Sequence, residues 1–322
     1  MQKIAVLTSG GDSPGMNACI RAIVRTSIFH NTEIWGIRRG YEGLMDSEFV
    51  QMNTKSVANI IQRGGTILKT ARSSRFMETE GLLVAAQNLK EQGIEGLITI
   101  GGDGTFRGAL ALQQHSDIKI VGCPGTIDND LVGTDFTIGY DTAINTVVEA
   151  VDKIRDTAES HERLFFVEVM GRDAGLIALR SGIGAGAEAI LIPETPTHID
   201  DLIRRLEGGR KDKSSKIVIV SEHDDAGGAF AIAEKVKAKL PYYDTRVTIL
   251  GHIQRGGNPS CMDRVNASRM GFAAVEALLE GRSGEMAGIV NKQVCFTPFE
   301  KAVKHLEELD QSLLRMVEIL SL

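Results

Sequence analysis

The chain has 322 residues, enough for one large or two ordinary domains, and two are expected. A content of 43% hydrophobic and 24% charged residues is that of a soluble globular protein, and a net charge of −6 disfavours non-specific binding to nucleic acid or an anionic membrane. The four cysteines (Cys19, Cys123, Cys261, Cys295) are isolated and form no Cys-x-x-Cys, so they suggest neither a zinc site nor a disulfide framework and fit reduced thiols in a cytoplasmic protein.

In chain order, one theme recurs: a short buried strand, a Gly-rich or acidic loop, then a helix. The first strand is Ile4–Leu7, an apolar run too short for a signal peptide or a membrane span. Its loop is Thr8-Ser-Gly-Gly-Asp-Ser-Pro-Gly15. The helix that follows places Ile20, Ile23, Val24 and Ile28 on one face and Arg21 and Arg25 on another. Further strands are expected at Glu33–Ile37, Gly96–Ile100, Ile118–Val121, Leu164–Val169, Ala189–Ile192, Ile217–Val220 and Val247–Leu250. Helical patterns lie between most of them, as at Ile144, Val147, Val148, Val151 and Ile154. Near-continuous apolar strands alternating with amphipathic helices predict an α/β fold whose parallel sheet is covered on both faces. Ligands of such folds bind at the carboxyl ends of the strands, where these loops fall. Lys211–Lys216 reads either as a linker or as a binding loop.

The loops carry the chemistry. Ser9–Gly15 leads into a helix N-terminus, where free backbone N–H groups favour an anion, although a tight turn with no ligand reads the same way. Ile100-Gly-Gly-Asp-Gly-Thr105 surrounds one carboxylate with glycine, a pattern suited to cradling phosphates while Asp103 holds a hard cation such as Mg2+. No Gly-x4-Gly-Lys-Ser/Thr motif occurs. Pro124-Gly-Thr-Ile-Asp-Asn-Asp130 follows another strand and places Thr126, Asp128 and Asp130 within five residues; extended, it would send both carboxylates to one side. An Asx turn is the plain alternative. Val169-Met-Gly-Arg-Asp-Ala-Gly175 presents Arg172, and Gly251-His-Ile-Gln-Arg-Gly-Gly257 presents His252 and Arg255, with Arg72, Arg163 and Arg246 beside further loops. Several guanidinium groups at strand ends, near carboxylates, describe a site for highly phosphorylated substrates and a metal.

Five of these motifs, at 10–17, 100–105, 124–130, 168–172 and 251–257, occur in an order that resembles the bacterial ATP-dependent 6-phosphofructokinase family from the first strand to the last helices. The resemblance implies two doubly wound three-layer α/β/α lobes with the active site in the cleft between them. The expected lobes are 1–138 plus 252–303, binding ATP, and 139–251 plus 304–322, binding fructose 6-phosphate. It implies transfer of the ATP γ-phosphoryl to the sugar's 1-hydroxyl, the committed step of glycolysis.

By the same resemblance, Gly11, Arg72, Ser73, Gly102, Asp103, Gly104 and Thr105 hold ATP, with Asp103 on its Mg2+. Asp128 is the general base, Thr126 and Asp130 order the reacting groups, and Arg172 offsets charge on the transferring phosphoryl, with Gly11 at the same centre. Fructose 6-phosphate falls to Thr126, Ile127, Asp128, Met170, Gly171, Arg172, Glu222, His252, Ile253, Gln254 and Arg255. Arg163 and Arg246 reach its phosphate from a neighbouring subunit, which implies a homotetramer. Pyrophosphate-using relatives tend to carry an acid where Gly104 stands and Lys where Gly125 stands, so ATP is the expected donor. An effector site for ADP or phosphoenolpyruvate is matched by Arg21, Arg25, Arg155, Gly186, Glu188, Lys211, Lys213 and Ser215. Thr54 stands where a relative has Arg, and Ser214 and Ser215 replace a Lys-His pair, so blunted effector control is expected. Two other classes share parts of the pattern. NAD and lipid kinases have the Gly-Gly-Asp-Gly-Thr element without the loops at 124–130 and 251–257. A non-catalytic sensor on this fold would be expected to lose Asp103, Asp128 or Arg172, and all three are present.

Overall fold

A computed structural model of the chain describes residues 1–161, 163–208, 215–304 and 310–320. The chain divides into two compact units, Met1–Thr142 with Arg255–His305 and Ala143–Gln254 with Leu306–Leu322.

The first unit contains β1 (Lys3–Thr8), α1 (Met16–Phe29), β2 (Glu33–Ile37), α2 (Gly40–Met45), β3 (Phe49–Gln51), α3 (Thr79–Glu91), β4 (Gly96–Gly101), α4 (Asp103–Gln113) and β5 (Lys119–Pro124). The chain then enters α5 (Tyr140–Glu159) and builds the second unit from β6 (Arg163–Val169), α6 (Leu176–Gly184), β7 (Ala189–Leu191), α7 (Ile199–Gly208), β8 (Lys216–Ser221), α8 (Ala229–Lys239) and β9 (Asp244–Ile249). It returns to the first unit with α9 (Cys261–Leu279), β10 (Glu285–Val290) and β11 (Gln293–Pro298), and ends in α10 (Gln311–Leu320).

The first sheet has the order β11-β10-β5-β4-β1-β2-β3. Its inner strands are parallel and apolar on both faces. One face packs Ile4, Val6, Ile98, Ile100 and Val121 against α1 and α9; the other packs Ala5, Leu7, Leu97 and Ile120 against α2, α3 and α4. The expectation of a purely parallel sheet fails at its edges, where β3 pairs antiparallel to β2 and β11 antiparallel to β10. The β10–β11 turn is Asn291-Lys292, both at positive φ (49° and 66°), the conformation that a two-residue hairpin requires.

The second sheet, β7-β8-β6-β9, is parallel throughout. Leu164, Phe166, Val218 and Val220 pack with residues of α7 and α8 on one face. Lys216, placed by the sequence reading in a linker-like stretch, instead begins β8 and is buried, with its ammonium donating to the Leu206 carbonyl. In each sheet the connections reverse direction about one strand: β1 has β2 and β4 on opposite sides, and β6 has β8 and β9. The loops after β1, β4, β6 and β9 therefore leave at switch points, where doubly wound sheets bind ligands. Among the described residues no helix is long and apolar enough to cross a membrane.

Candidate active site

The first unit gathers three glycine-bearing loops at the carboxyl edge of its sheet. Ser9 N–H donates to the Ile100 carbonyl (3.0 Å), Thr105 Oγ1 donates back to the Ser9 carbonyl (3.2 Å), and Gly125 N–H donates to the Gly101 carbonyl (2.9 Å). Two residues unremarked in the sequence support them: Thr70 Oγ1 donates to the Gly10 carbonyl (2.8 Å) and Tyr41 Oη to the Thr105 carbonyl (2.7 Å). Gly10 takes φ 87° and Gly15 φ 111°, where L side chains are strained, and Gly15 caps α1 with no side-chain acceptor. The first N–H of α1 is instead met by backbone, Met16 N–H donating to the Ser13 carbonyl (3.3 Å).

The segment Gly102–Thr105, read from its glycines as a loop, is the start of α4: Gly102 is the N-cap and Asp103 the first helical residue. An acid there is favoured by the positive end of the helix dipole, which offsets part of the weak helix propensity of Gly104. A Cβ on Gly104 would meet nothing within 4 Å, so this position leaves open space. Gly125 is different. A Cβ there would lie 2.9 Å from the flexible Met16 Cε, 3.0 Å from Ile100 Cγ2 and 3.3 Å from Gly101 N, so a larger residue would have to displace these neighbours.

The Asp103 carboxylate is paired with Arg107 one turn on, Nε to Oδ1 at 3.0 Å and Nη2 to Oδ2 at 3.0 Å. One carboxylate beside a helix N-terminus suits Mg2+ that arrives on polyphosphate, since Mg2+ takes one or two carboxylates and fills its remaining positions with phosphate and water. Ser73 donates to Glu42 and accepts Phe76 N–H (3.1 Å), which commits its hydroxyl to the local turn, while Arg72 is exposed. Arg255, expected at the sugar, lies in this unit against the glycine loop. Its Nη1 donates to the Asp12 carbonyl (3.2 Å), and a Cβ on Gly11 would come within 2.6 Å of it.

The acidic loop follows β5. Ile127 is fully buried, and Asp128 and Asp130 are 3% and 8% exposed. Asp128 N–H donates to Thr126 Oγ1 (3.2 Å), and Asp130 Oδ2 lies 3.4 Å from Lys304 Nζ. The expected extended geometry is not found. Asn129 takes φ 56°, so the two carboxylates are not related by strand alternation.

In the second unit, Gly171 (φ 145°) and Arg172 (φ 52°) form a tight turn after β6. A Cβ on Gly171 would lie 2.4 Å from the Ala174 carbonyl oxygen. Both backbone N–H groups donate to Glu222 Oε1, at 3.3 and 2.9 Å. Gln254 is fully buried; its Oε1 accepts Met170 N–H (3.3 Å) and its Nε2 donates to the Gly251 carbonyl (3.0 Å). Its amide braces two loops instead of being offered to a ligand, whereas His252 and Ile253 are exposed. Arg163 and Arg246 share Asp244: Arg163 Nε is 2.8 Å from Oδ2 and Arg246 Nη2 is 3.0 Å from Oδ1.

The expected effector residues fall in both units. Arg21 and Arg25 lie on α1, where burial and the neighbouring Arg25 lower the proton affinity of Arg21. Arg155 donates to the Ala185 and Gly186 carbonyls, and Gly186 takes φ 61°. Glu188 is buried and accepts Ile217 N–H at 2.5 Å. Ser215 is buried, with no partner for its hydroxyl among the described residues. Lys211, Lys213 and Ser214 lie outside the described residues.

A phosphofructokinase family model matches residues 3–278 of the chain. The chain belongs to the phosphofructokinase family. It is 54% identical over 322 residues to the ATP-dependent 6-phosphofructokinase of Cytophaga hutchinsonii, covering all of this chain and 98% of that protein. It is 53% identical over 323 residues to ATP-dependent 6-phosphofructokinase 1 of Thermus thermophilus, over the whole of both. Among solved structures, phosphofructokinase from Saccharomyces cerevisiae matches with a TM-score of 0.87 at 37% identity, covering all of this chain and 47% of the yeast chain. A pyrophosphate-dependent phosphofructokinase from Marinobacter aquaeolei shares the fold with a TM-score of 0.86 at 22% identity, covering 99% of this chain and 91% of that one. Backbone shape in this family therefore does not separate the two phosphoryl donors.

Proposed function

We infer that the chain is a kinase that moves the γ-phosphoryl group of ATP to the 1-hydroxyl of D-fructose 6-phosphate. The observation that carries the reading is Asp128, a carboxylate 3% exposed on a loop braced at the end of β5, in a chain of this family. A primary alcohol is a poor nucleophile. Asp128 would take its proton as the oxygen attacks the γ-phosphorus and ADP departs, a contribution of about 10²–10⁴-fold. Phosphoryl transfer otherwise requires in-line positioning and charge neutralisation. Thr126 and Asp130 would order the reacting groups, the Gly11 loop and the α4 N-terminus would hold the nucleotide phosphates, and Arg172 would offset equatorial charge. Mg2+, held through Asp103, would supply further neutralisation of the phosphate oxygens. His252 and the Met170–Arg172 turn shaped by Glu222 would receive the sugar phosphate.

Initial rates with fructose 6-phosphate and Mg2+, supplied with ATP or with pyrophosphate, test this reading. Turnover with ATP alone is expected, because Gly104 leaves open space where an acid would exclude a nucleotide. Turnover with pyrophosphate would overturn the donor assignment, and none with either donor would move the weight to a sensor.

We also propose a homotetramer in the cytoplasm, in which Arg163 and Arg246 exchange Asp244 for a neighbour's sugar phosphate. Light scattering behind size exclusion measures the assembly. Effector control should be blunted, since Thr54, Ser214 and Ser215 supply no cation. Saturation by fructose 6-phosphate is expected to be hyperbolic and indifferent to ADP and phosphoenolpyruvate; a sigmoidal curve relieved by ADP would contradict this.

A further inference from the structure

We propose that Asn129 and Thr137 are positioning residues for Asp128, joined in a latch that fixes the acidic loop; the inference rests on the reading of Asp128 as the base. Thr137 is 1% exposed, and its hydroxyl donates to the Thr126 carbonyl at 2.6 Å. Its backbone N–H donates to Asn129 Oδ1, also at 2.6 Å. Asn129 Nδ2 in turn donates to the Asp135 carbonyl (3.1 Å), so both ends of that amide are engaged. One residue further on, Ile138 N–H donates to the Pro124 carbonyl (2.8 Å). Asp128 therefore sits between two residues, Thr126 and Asn129, that the 135–138 segment grips. Asp128 N–H also donates to Thr126 Oγ1, so fixing Thr126 fixes the base directly.

The conformation needs this grip. Asn129 is left-handed at φ 56°, a state that an asparagine tolerates but that costs about 1 kcal/mol or more without local support. Neither residue need touch a substrate. Their effect passes through the position of one carboxylate, and a displacement on the order of 1 Å at a reacting group costs roughly 10²-fold in rate.

The test uses the full-length enzyme with ATP, Mg2+ and fructose 6-phosphate. Thr137→Val keeps the shape and removes the hydroxyl donor. Its kcat is expected to fall roughly 10- to 100-fold, with KM for ATP unchanged. Thr137→Ser, which keeps the hydroxyl, should recover most of the loss. Adding Thr137→Val to Asp128→Asn should cost nothing further, because a residue that acts only through the base has nothing left to position. Should Thr137→Val fail to fold by circular dichroism, Asn129→Gly replaces it, since glycine accepts the left-handed backbone and removes only the amide. Wild-type kcat in the folded variant, equal damage in the Ser and Val variants, or an additive loss in the double variant would each overturn the latch. If Asp128→Asn itself turns over normally, the reading of the base fails and the latch with it; if only the latch variants are normal, the latch alone fails.

Discussion

Replacing Asp128 with asparagine is expected to lower kcat by at least 10²–10⁴-fold while KM for fructose 6-phosphate stays close to the wild-type value. Asparagine has the volume and shape of aspartate, so the packing of a side chain only 3% exposed is kept. What is lost is the proton acceptor, and that is needed only as the alcohol becomes a nucleophile. An interaction confined to the transition state lowers kcat and kcat/KM together and leaves ground-state binding alone. Steady-state kinetics, with circular dichroism to verify folding, checks the result. Near-normal turnover would remove Asp128 from the mechanism, and a raised KM with normal kcat would make it a binding residue.

Central strands such as Ile4–Leu7 and Gly96–Ile100 were legible in the sequence because burial on both faces writes them as unbroken apolar runs. The edges were not. β3 and β11 are only partly buried and lack such a run. β10 carries Ala287 and Gly288, poor strand formers, and Gly288 stands there because a Cβ would lie 2.1 Å from the Gly133 carbonyl oxygen. That contact joins positions 155 residues apart, which no local pattern reports. β9 began earlier than expected because an edge strand alternates in exposure along its length.

The loops of the site were visible as glycine and acid clusters, yet their internal geometry was hidden. Glycine at 101, 102 and 104 reads as a loop by local punctuation, whereas the dipole and the packing of Phe106 carry α4 through Asp103 and Gly104. Asp-Asn-Asp looked like two acids with a spacer. The spacer proved to be the residue that turns the chain, and the choice of asparagine at a left-handed position was the signal available for it. Gln254 sat inside a recognisable motif, but only its complete burial separates a brace from a ligand contact.

Replacing Asp263 with alanine should destabilise the protein by about 3–5 kcal/mol, since it removes the acceptor of three buried donors, each costing roughly 1–3 kcal/mol when left unsatisfied. Asp263 is 2% exposed in the first turn of α9. Its Oδ1 accepts Gly139 N–H (2.8 Å), and its Oδ2 accepts Thr142 N–H (2.8 Å) and Thr142 Oγ1 (2.5 Å). Alanine leaves all three donors without their acceptor. The N-cap serine joins the same network: Ser260 Oγ accepts Asp263 N–H (3.1 Å) and donates to Asp141 (2.5 Å). At roughly 1.5 °C per kcal/mol for a protein of 322 residues, calorimetry should read a fall in Tm of roughly 4–7 °C. A shift of a degree or two would mean that the network is dispensable. Burial pushes the Asp263 carboxyl up to about 6, against the lowering effect of the bonds from Thr142 and Gly139. The unfolded chain titrates near 3.9, so between the two values the folded state holds the extra proton. This group's contribution is therefore complete below about pH 4 and is lost as pH rises through about 6. The wild type should lose stability across that window relative to Asp263→Ala, whose own curve is flatter there. Parallel curves for the two proteins would show that the carboxyl titrates where an exposed one does.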